Sequence, residues 1–273
     1  MIPPMTGPAL RIIWILSLAA APAAFALPAP SAGIPAECRD EARTDRLEGL
    51  SPEGDLILAS GRLAKLSGLR LPDGLPHRDA ALAWLRGRIG RPALVQGPER
   101  PDRWNRIAVR IRSSDGPQAL DWGHGLVEAG LALVDAGADE PFCQPELLAF
   151  EATARERRLG LWADDRYKPV DVNQSERLRE RIGTFLLVEG RVRSVGERKQ
   201  RTYLNFGGHW AEDFTIIIPR KTWKRMLDRG LDAEALKGRR IRARGILEPW
   251  QGTAFSIVIP DMIEPLEGDR LPR

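Results

Sequence analysis

Alternating apolar and polar positions predict β-strands in two separate stretches of the chain. In the first, "DLILASGRLAKLSGL" (residues 55–69) alternates around Ser60-Gly61, a dipeptide typical of a hairpin turn, and "WNRIAVRIRS" (104–113) has its apolar residues two apart. From residue 183 onward about five more short strands are predicted. They lie in "GTFLLVEGRVRSVGERKQRTYLNFGG", "DFTIIIPR" and "GRRIRARGILEPWQGTAFSIVIP".

Apolar residues at helical spacing predict helices beside these strands. They occur in "HRDAALAWLRGRIG" (77–90), "ALDWGHGLVEAGLALVD" (119–135), "PELLAFEATARERRLGLW" (145–162) and "KTWKRMLDRG" (221–230). Strands with helices laid against them predict an α+β fold rather than a doubly wound sheet. In the second stretch, five strands with a helix between the third and fourth resemble a small oligonucleotide/oligosaccharide-binding (OB) barrel.

The N-terminal segment has the layout of a secretory signal peptide. Arg11 precedes an apolar run, Ile12–Ala26, that ends in the small-x-small site Ala24-Phe25-Ala26. The alternative is an uncleaved membrane anchor, but this run has 15 residues, is interrupted by Pro22, and falls short of the ~20 residues that span a bilayer. The sequence therefore predicts export to the periplasm or the medium, with cleavage after Ala26.

These patterns predict how the chain is divided. Residues 27–37 are rich in Pro and Ala and are typical of a tether, and "ADDRYKPVDVNQS" (163–175) is polar and aperiodic like a linker. The predicted parts are a signal peptide (1–26), a tether (27–45), a first domain (46–166), a linker (167–176) and a second, OB-fold-like domain (177–268).

Export changes the interpretation of the two cysteines, Cys38 and Cys143. Disulfides persist in oxidising compartments, and neither cysteine has a His or Asp at metal-ligand spacing. A structural disulfide is favoured over free thiols. It would close a loop of about 105 residues, worth ~4–5 kcal/mol in a chain-entropy model.

Basic residues are concentrated in the second domain. The segment 175–245 contains 18 Lys/Arg against 9 Asp/Glu, a net charge of +9, whereas the chain after residue 26 is only +3 overall. Such a segment predicts a polyanionic partner, either nucleic acid or an anionic membrane surface; the alternative is an ordinary solvated face.

Five motifs in residues 53–162 together resemble the thermonuclease (micrococcal/staphylococcal-nuclease-like) family. In chain order they are "EGDLILASG", "KLSGLRLPD", "DRWNR", "LVEAGLALV" and "EATARERRLGLW". The resemblance implies an OB-type β-barrel with packed helices and an enzyme that hydrolyses DNA and RNA with calcium. In that family two aspartates hold the cation, a glutamate activates water and two arginines clamp the phosphate.

Mapped residue by residue, the family pattern retains two of its five site positions. Asp55 stands at the first metal ligand and Arg106 at the second arginine. Lys65 replaces the first arginine, Arg70 the second metal ligand, and Asp73 the glutamate. Lys65 lacks the bidentate fork of arginine, and a shift of about 1 Å at Asp73 costs ~100-fold in rate. Arg70 removes an oxygen ligand, and we expect it to pair with Asp55.

Basic residues interleaved with aromatic ones predict nucleic-acid contacts in the second domain, since charge follows the backbone while rings stack on bases. Arg191 with Arg193, and Arg242 with Arg244, are spaced two apart, so each pair shares one strand face. The predicted binding residues are Arg191, Arg193, Arg198, Lys199, Arg201, Tyr203, Trp210, Arg242 and Arg244. For the arginines the alternative is an ordinary surface, and for Tyr203 it is packing inside the barrel.

The sequence thus predicts an exported thermonuclease-like protein with a degenerate site, which binds nucleic acid or another polyanion with little or no hydrolysis. Catalysis, if any, would use Lys65, Asp73 and Arg106, with calcium at Asp55. Two alternatives remain open at this point. One is a working DNA/RNA nuclease with a modified metal site, and the other is a periplasmic module that binds a glycan or a protein.

Overall fold

The computed structural model describes residues 38–114, 120–139, 141–208 and 213–266. The predicted signal peptide, most of the predicted tether and Trp210 lie outside these ranges. None of the helices within them combines the length and the hydropathy of a membrane span.

The strands of the first half form a sheet whose order returns to its starting strand. They are β1 (Ala42–Leu50), β2 (Leu56–Leu58), β3 (Leu63–Leu66), β4 (Leu69–Arg70), β5 (Pro92–Gln96), β6 (Arg106–Ser113) and β7 (Leu133–Val134). The order β1-β2-β3-β6-β5 is circular because β5 pairs with β1. All its pairs are antiparallel except β3 with β6, while β4 and β7 form a separate two-stranded ladder. The predicted hairpin corresponds to β2 and β3.

Three helices belong to this half: the first packs on β1, the second on β6, and the third on the second helix and β7. They are α1 (His77–Arg86), α2 (Trp122–Glu128) and α3 (Leu147–Glu156). Asp121 caps α2 by accepting a hydrogen bond from the backbone N of His124 at 3.1 Å, as expected for an aspartate at this position. All three lie within the segments that the hydrophobic spacing predicts.

The second half contains two sheets and three helices. Its strands are β8 (Val170–Asp171), β9 (Phe185–Arg191), β10 (Ser194–Glu197), β11 (Arg201–Asn205), β12 (Phe214–Pro219), β13 (Arg240–Ile246), β14 (Glu248–Pro249), β15 (Thr253–Ser256) and β16 (Ile263–Pro265). The helices are α4 (Ser175–Arg179), α5 (Arg220–Leu227) and α6 (Ala233–Leu236). The sheets have the orders β10-β11-β12-β15-β14 and β16-β13-β9-β8.

Helices and sheets together confirm the predicted α+β class and are consistent with an OB-like fold. As β3 runs parallel to β6 in the first half, β12 runs parallel to the later strand β15 in the second half, and α5 and α6 come between them. Among the described strands the second half is divided between two sheets, so its closure into a barrel stays a prediction.

Structure continues through the two segments predicted to lack it. β1 begins at Ala42, inside the predicted tether, because its first residues pair with β5. β8 lies in the predicted linker and pairs with β9, and its Val170 is fully buried. Both halves contribute to one hydrophobic core, and their described residues belong to a single compact unit. The two-domain division itself stays a prediction.

A disulfide joins Cys38 to Cys143, the pair that the sequence favours. Their Cα atoms are 5.5 Å apart, and the bridge connects chain positions separated by 105 residues. It fastens the segment in front of β1 to the segment that leads into α3.

Candidate functional site

The residues at all five family site positions line one open cavity of about 270 Å³. Asp55, Lys65, Arg70, Asp73 and Arg106 all line it. Residues that the sequence reasoning did not select line it too, among them Glu53, Arg78 and Asp135.

Strand pairing explains how residues distant in sequence meet in this cavity. The parallel ladder between β3 and β6 places Leu63 opposite Arg106 and Lys65 opposite Ala108. Asp55 stands directly before β2, and the hydroxyl of Ser51 accepts a hydrogen bond from its backbone N at 3.1 Å.

Arg106 is fixed by two carboxylates. Its Nη1 lies 3.2 Å from Asp55 Oδ1, and its Nε and Nη2 donate to Asp102 Oδ2 at 3.1 and 2.9 Å. Burial by itself lowers the pKa of Arg106, but the hydrogen bond to Asp102 and the charge of Asp55 outweigh it and raise the pKa above its ordinary value. Arg106 is therefore a permanent cation whose charge is already balanced.

Trp104 projects from the same loop. Its side chain is 57 % exposed, with the guanidinium carbons of Arg103 and Arg106 at 3.9 and 4.9 Å from its ring centre. Asp102 Oδ1 holds the loop by accepting hydrogen bonds from the backbone N atoms of Trp104 and Arg106, at 2.9 and 3.0 Å.

The expected pair between Arg70 and Asp55 is wrong, because Arg70 pairs with Asp135 instead. Its Nε and Nη2 lie 3.0 and 2.9 Å from Asp135 Oδ2. The cause is the ladder between β4 and β7, which places Arg70 opposite Leu133 and so brings in the residue just after β7. The guanidinium also stands over the ring of Phe185, at 5.0 Å from its centre.

Asp135 is the main site residue that the sequence reasoning missed. An aspartate directly after a short apolar strand was available as a signal, but nothing local to it identifies a partner 65 residues away. The same holds for Asp139, whose Oδ1 lies 2.7 Å from Lys65 Nζ, and whose Oδ2 accepts from the backbone N of Gly68 at 2.9 Å.

Asp73 differs from the other carboxylates of the cavity. It is exposed, and within the described ranges it makes no ion pair or hydrogen bond through its side chain. It stands beside Pro72, which is buried, so the backbone under it is well packed. Of the mapped groups it is the one most accessible to solvent.

The donor atoms of this cavity do not fit calcium. Calcium takes six to eight oxygen ligands, yet Asp55 is committed to Arg106 and Asp135 to Arg70. In the described part of the chain no group of three or more His, Cys, Asp or Glu side chains is arranged to hold a metal ion.

The predicted nucleic-acid residues divide into an exposed group and a buried group. Arg193, Arg198, Lys199 and Arg201 are exposed, and Tyr203 is half-buried. Arg191 is exposed as well, with its Nη1 donating to the carbonyl of Gly238 at 2.6 Å.

Arg242 and Arg244 do not form the exposed strand face that their spacing predicts, because Arg244 is buried and Arg242 is half-buried. Arg242 binds Glu189 Oε1 through Nη2 at 2.6 Å. Arg244 is 1 % exposed; its Nη1 lies 2.9 Å from both Glu151 Oε2 and the carbonyl of Val134, and its Nη2 binds Glu264. The strand face assigned to solvent is covered by the first half, including α3, which supplies Glu151.

Comparison with known proteins bears on the first half only. Residues 70–164 match the family described as staphylococcal nuclease homologue, and no curated protein matches the chain. The matched segment contains Arg70, Asp73, Arg106 and Asp135, while Asp55 and Lys65 precede it. The thermonuclease resemblance is therefore confirmed for residues 70–164, which form a staphylococcal-nuclease-like region of this chain.

Proposed function

We propose that this chain is an exported thermonuclease-like protein that binds nucleic acid through its phosphates and hydrolyses it little or not at all. The observation that carries the proposal is the pairing of Arg70 with Asp135 at 2.9 Å. A fixed cation and its counter-ion stand where the family places a metal ligand.

Electrostatics argue against a calcium ion in this cavity. A dication placed near Asp55 would meet Arg106, already 3.2 Å away, and would have Arg70 where an oxygen is needed. The nuclease family is calcium-dependent, so losing this ion removes its means of neutralising charge in the transition state.

The phosphate-clamping positions are also weakened. Lys65 and Arg106 keep positive charge, but each is neutralised by an aspartate, at 2.7 Å for Asp139 and 2.9 Å for Asp102. A phosphate entering the cavity has to displace these carboxylates. Asp73, one methylene shorter than the family's glutamate, is also poorly placed as a base.

Nucleic acid stays the best-supported partner. The matched family acts on it, and the second half supplies a large excess of positive charge.

Export fits the disulfide, because a bridge between Cys38 and Cys143 persists in an oxidising compartment. Mass spectrometry of protein recovered from outside the cytoplasm is expected to give a chain that starts after Ala26; an intact N-terminus would contradict cleavage.

The function is tested by measuring binding and cleavage together. The purified protein is expected to bind a labelled single-stranded oligonucleotide, with an affinity that falls steeply between about 50 and 200 mM salt, and to leave it uncut with or without calcium. The double variant Arg70→Asp/Asp73→Glu removes the blocking cation and restores the longer carboxylate. It is expected to gain calcium-dependent nicking.

The matched control is Arg106→Met, made in both backgrounds. It is expected to abolish the nicking gained by the double variant, while cleavage by a contaminating nuclease would be unaffected. Calcium-dependent cleavage by the parent protein that Arg106→Met eliminates would overturn the degenerate-site proposal.

That outcome would favour a working nuclease, and one observation supports this alternative. All five mapped positions share one cavity, and Asp73 is exposed and unpaired among the described residues, so one carboxylate of the cavity is accessible to a water molecule. A protein that neither binds nor cuts the oligonucleotide would instead support a periplasmic module for a glycan or a protein.

A further inference from the structure

A dense group of cations lies on the second half at the tip of the β10–β11 hairpin and on α5. We call it the hairpin–helix surface. Its members are Arg198, Lys199, Arg201, Arg220, Lys221 and Lys224, all of them exposed. The last three were not selected from the sequence.

Two backbone contacts hold these elements together. Arg201, the first residue of β11, is paired with Pro219, the last residue of β12. The backbone N of Arg220 donates to the carbonyl of Gln200 in the hairpin turn at 3.0 Å. The start of α5 is therefore fixed against the hairpin tip, and the cations of both elements form one continuous surface.

The packing of α5 keeps its cations at the surface. Thr222, Trp223 and Met226 are buried on one side of the helix. Lys221 and Lys224 are three residues apart and so neighbours on the helix surface. Trp223 Nε1 donates to Glu197 Oε2 at 3.1 Å, which ties the buried side of the helix to β10.

Charge on this surface is far from balanced. Within the described ranges, five of its cations form no ion pair, and Glu197 is the carboxylate of the same elements; the five are Arg198, Lys199, Arg201, Arg220 and Lys224. The candidate cavity is different, because Lys65, Arg70 and Arg106 each face an aspartate there. A polyanion therefore finds unneutralised charge on the second half rather than in the cavity.

We propose that the hairpin–helix surface is the principal phosphate-binding surface of the protein, and that it takes the sugar-phosphate backbone of a nucleic acid. This rests on the proposed function and gives it a location. A membrane surface is a poorer fit, since helices that lie on membranes bury a broad apolar face in the lipid. In α5 the apolar face is already packed inside the protein, and Leu227 is its exposed large apolar side chain.

The test is the salt dependence of binding by the triple variant Lys199→Gln/Arg201→Gln/Lys224→Gln. Each lost phosphate contact on a single strand lowers the slope of log affinity against log salt by about 0.7, so a decrease of about 2 is expected. Affinity for a labelled oligothymidylate is measured by fluorescence anisotropy across a salt series, with circular dichroism melting to verify folding.

The matched control removes the same net charge elsewhere: Arg86→Gln/Arg157→Gln/Arg179→Gln, three exposed residues on other elements. It is expected to leave the salt slope unchanged. Equal losses in both variants would overturn the location while the proposed function stands. A parent protein that does not bind the oligonucleotide would overturn the proposed function itself. Binding to phosphatidylserine vesicles but not to oligothymidylate, with loss in the triple variant, would assign the surface to a membrane and overturn the inference.

Discussion

Arg244→Met is expected to destabilise the protein by about 3–5 kcal/mol, because it leaves a buried carboxylate without its main counter-charge. Glu151 is 0 % exposed and lies 2.9 Å from Arg244 Nη1. The same guanidinium binds Glu264 and the carbonyl of Val134, so the substitution also leaves a backbone acceptor unsatisfied.

The state of Arg244 supports this expectation. Burial alone would lower the pKa of its guanidinium, but the charges of Glu151 and Glu264 outweigh burial and raise it above the ordinary value. Arg244 is therefore a permanent cation between these two carboxylates. Arg155, 3.2 Å from Glu151, keeps part of the compensation when Arg244 is lost.

Urea unfolding of the parent and the variant measures this effect, and the same strand supplies a control. Arg240→Met removes an arginine from β13 whose side chain is 45 % exposed and pairs with Glu189 at 3.1 Å. Such exposed pairs contribute about 0–1 kcal/mol. Equal losses of unfolding free energy in the two variants would contradict the structural role assigned to the ion pair between Arg244 and Glu151.

Removing the disulfide is expected to cost a similar amount, about 4–5 kcal/mol, in Cys38→Ser/Cys143→Ser. Its 105-residue span is long, and a longer closed loop restricts the unfolded chain more in the chain-entropy model. The bridge also holds the segment that precedes β1. This strand begins at Ala42, shortly after Cys38, and closes the strand order of the first sheet.

Denaturant unfolding with and without dithiothreitol measures this second effect. The parent protein is expected to lose stability on reduction, whereas the double serine variant is expected to be insensitive to the reductant. A parent protein whose unfolding midpoint does not move after complete reduction, verified by thiol titration, would contradict the expected contribution.

Elements with a strong local pattern were predictable from the sequence. The helical spacing in residues 77–90 corresponds to α1, and the two-residue alternation in 104–113 corresponds to β6. In both, a buried apolar face is encoded within a single element. β8 could not be predicted, because two residues of a polar segment become a strand only through pairing with β9.

The same contrast between local patterns and long-range pairing explains which site residues could be predicted from the sequence. The changes at Lys65, Arg70 and Asp73 are visible because they fall inside one short motif, "KLSGLRLPD". The partner of Lys65, Asp139, and the partner of Arg70, Asp135, could not be predicted. Each pair is formed by residues more than sixty positions apart in the sequence. For Arg244 the local pattern was present but ambiguous. An arginine that alternates with apolar residues has the same pattern whether its strand face is exposed to water or covered by another part of the protein.

The buried ion pair also limits how far the nuclease-like region can be regarded as a portable module. Its α3 carries Glu151 in the interior, and the charge that balances it comes from β13, which lies outside the segment 70–164. A gene rearrangement that moved only the matched segment into another protein would carry with it a buried carboxylate that Arg155 compensates only in part, and an open Val134 carbonyl. Such a transfer would have to bring the second half along or replace Glu151 at the same time.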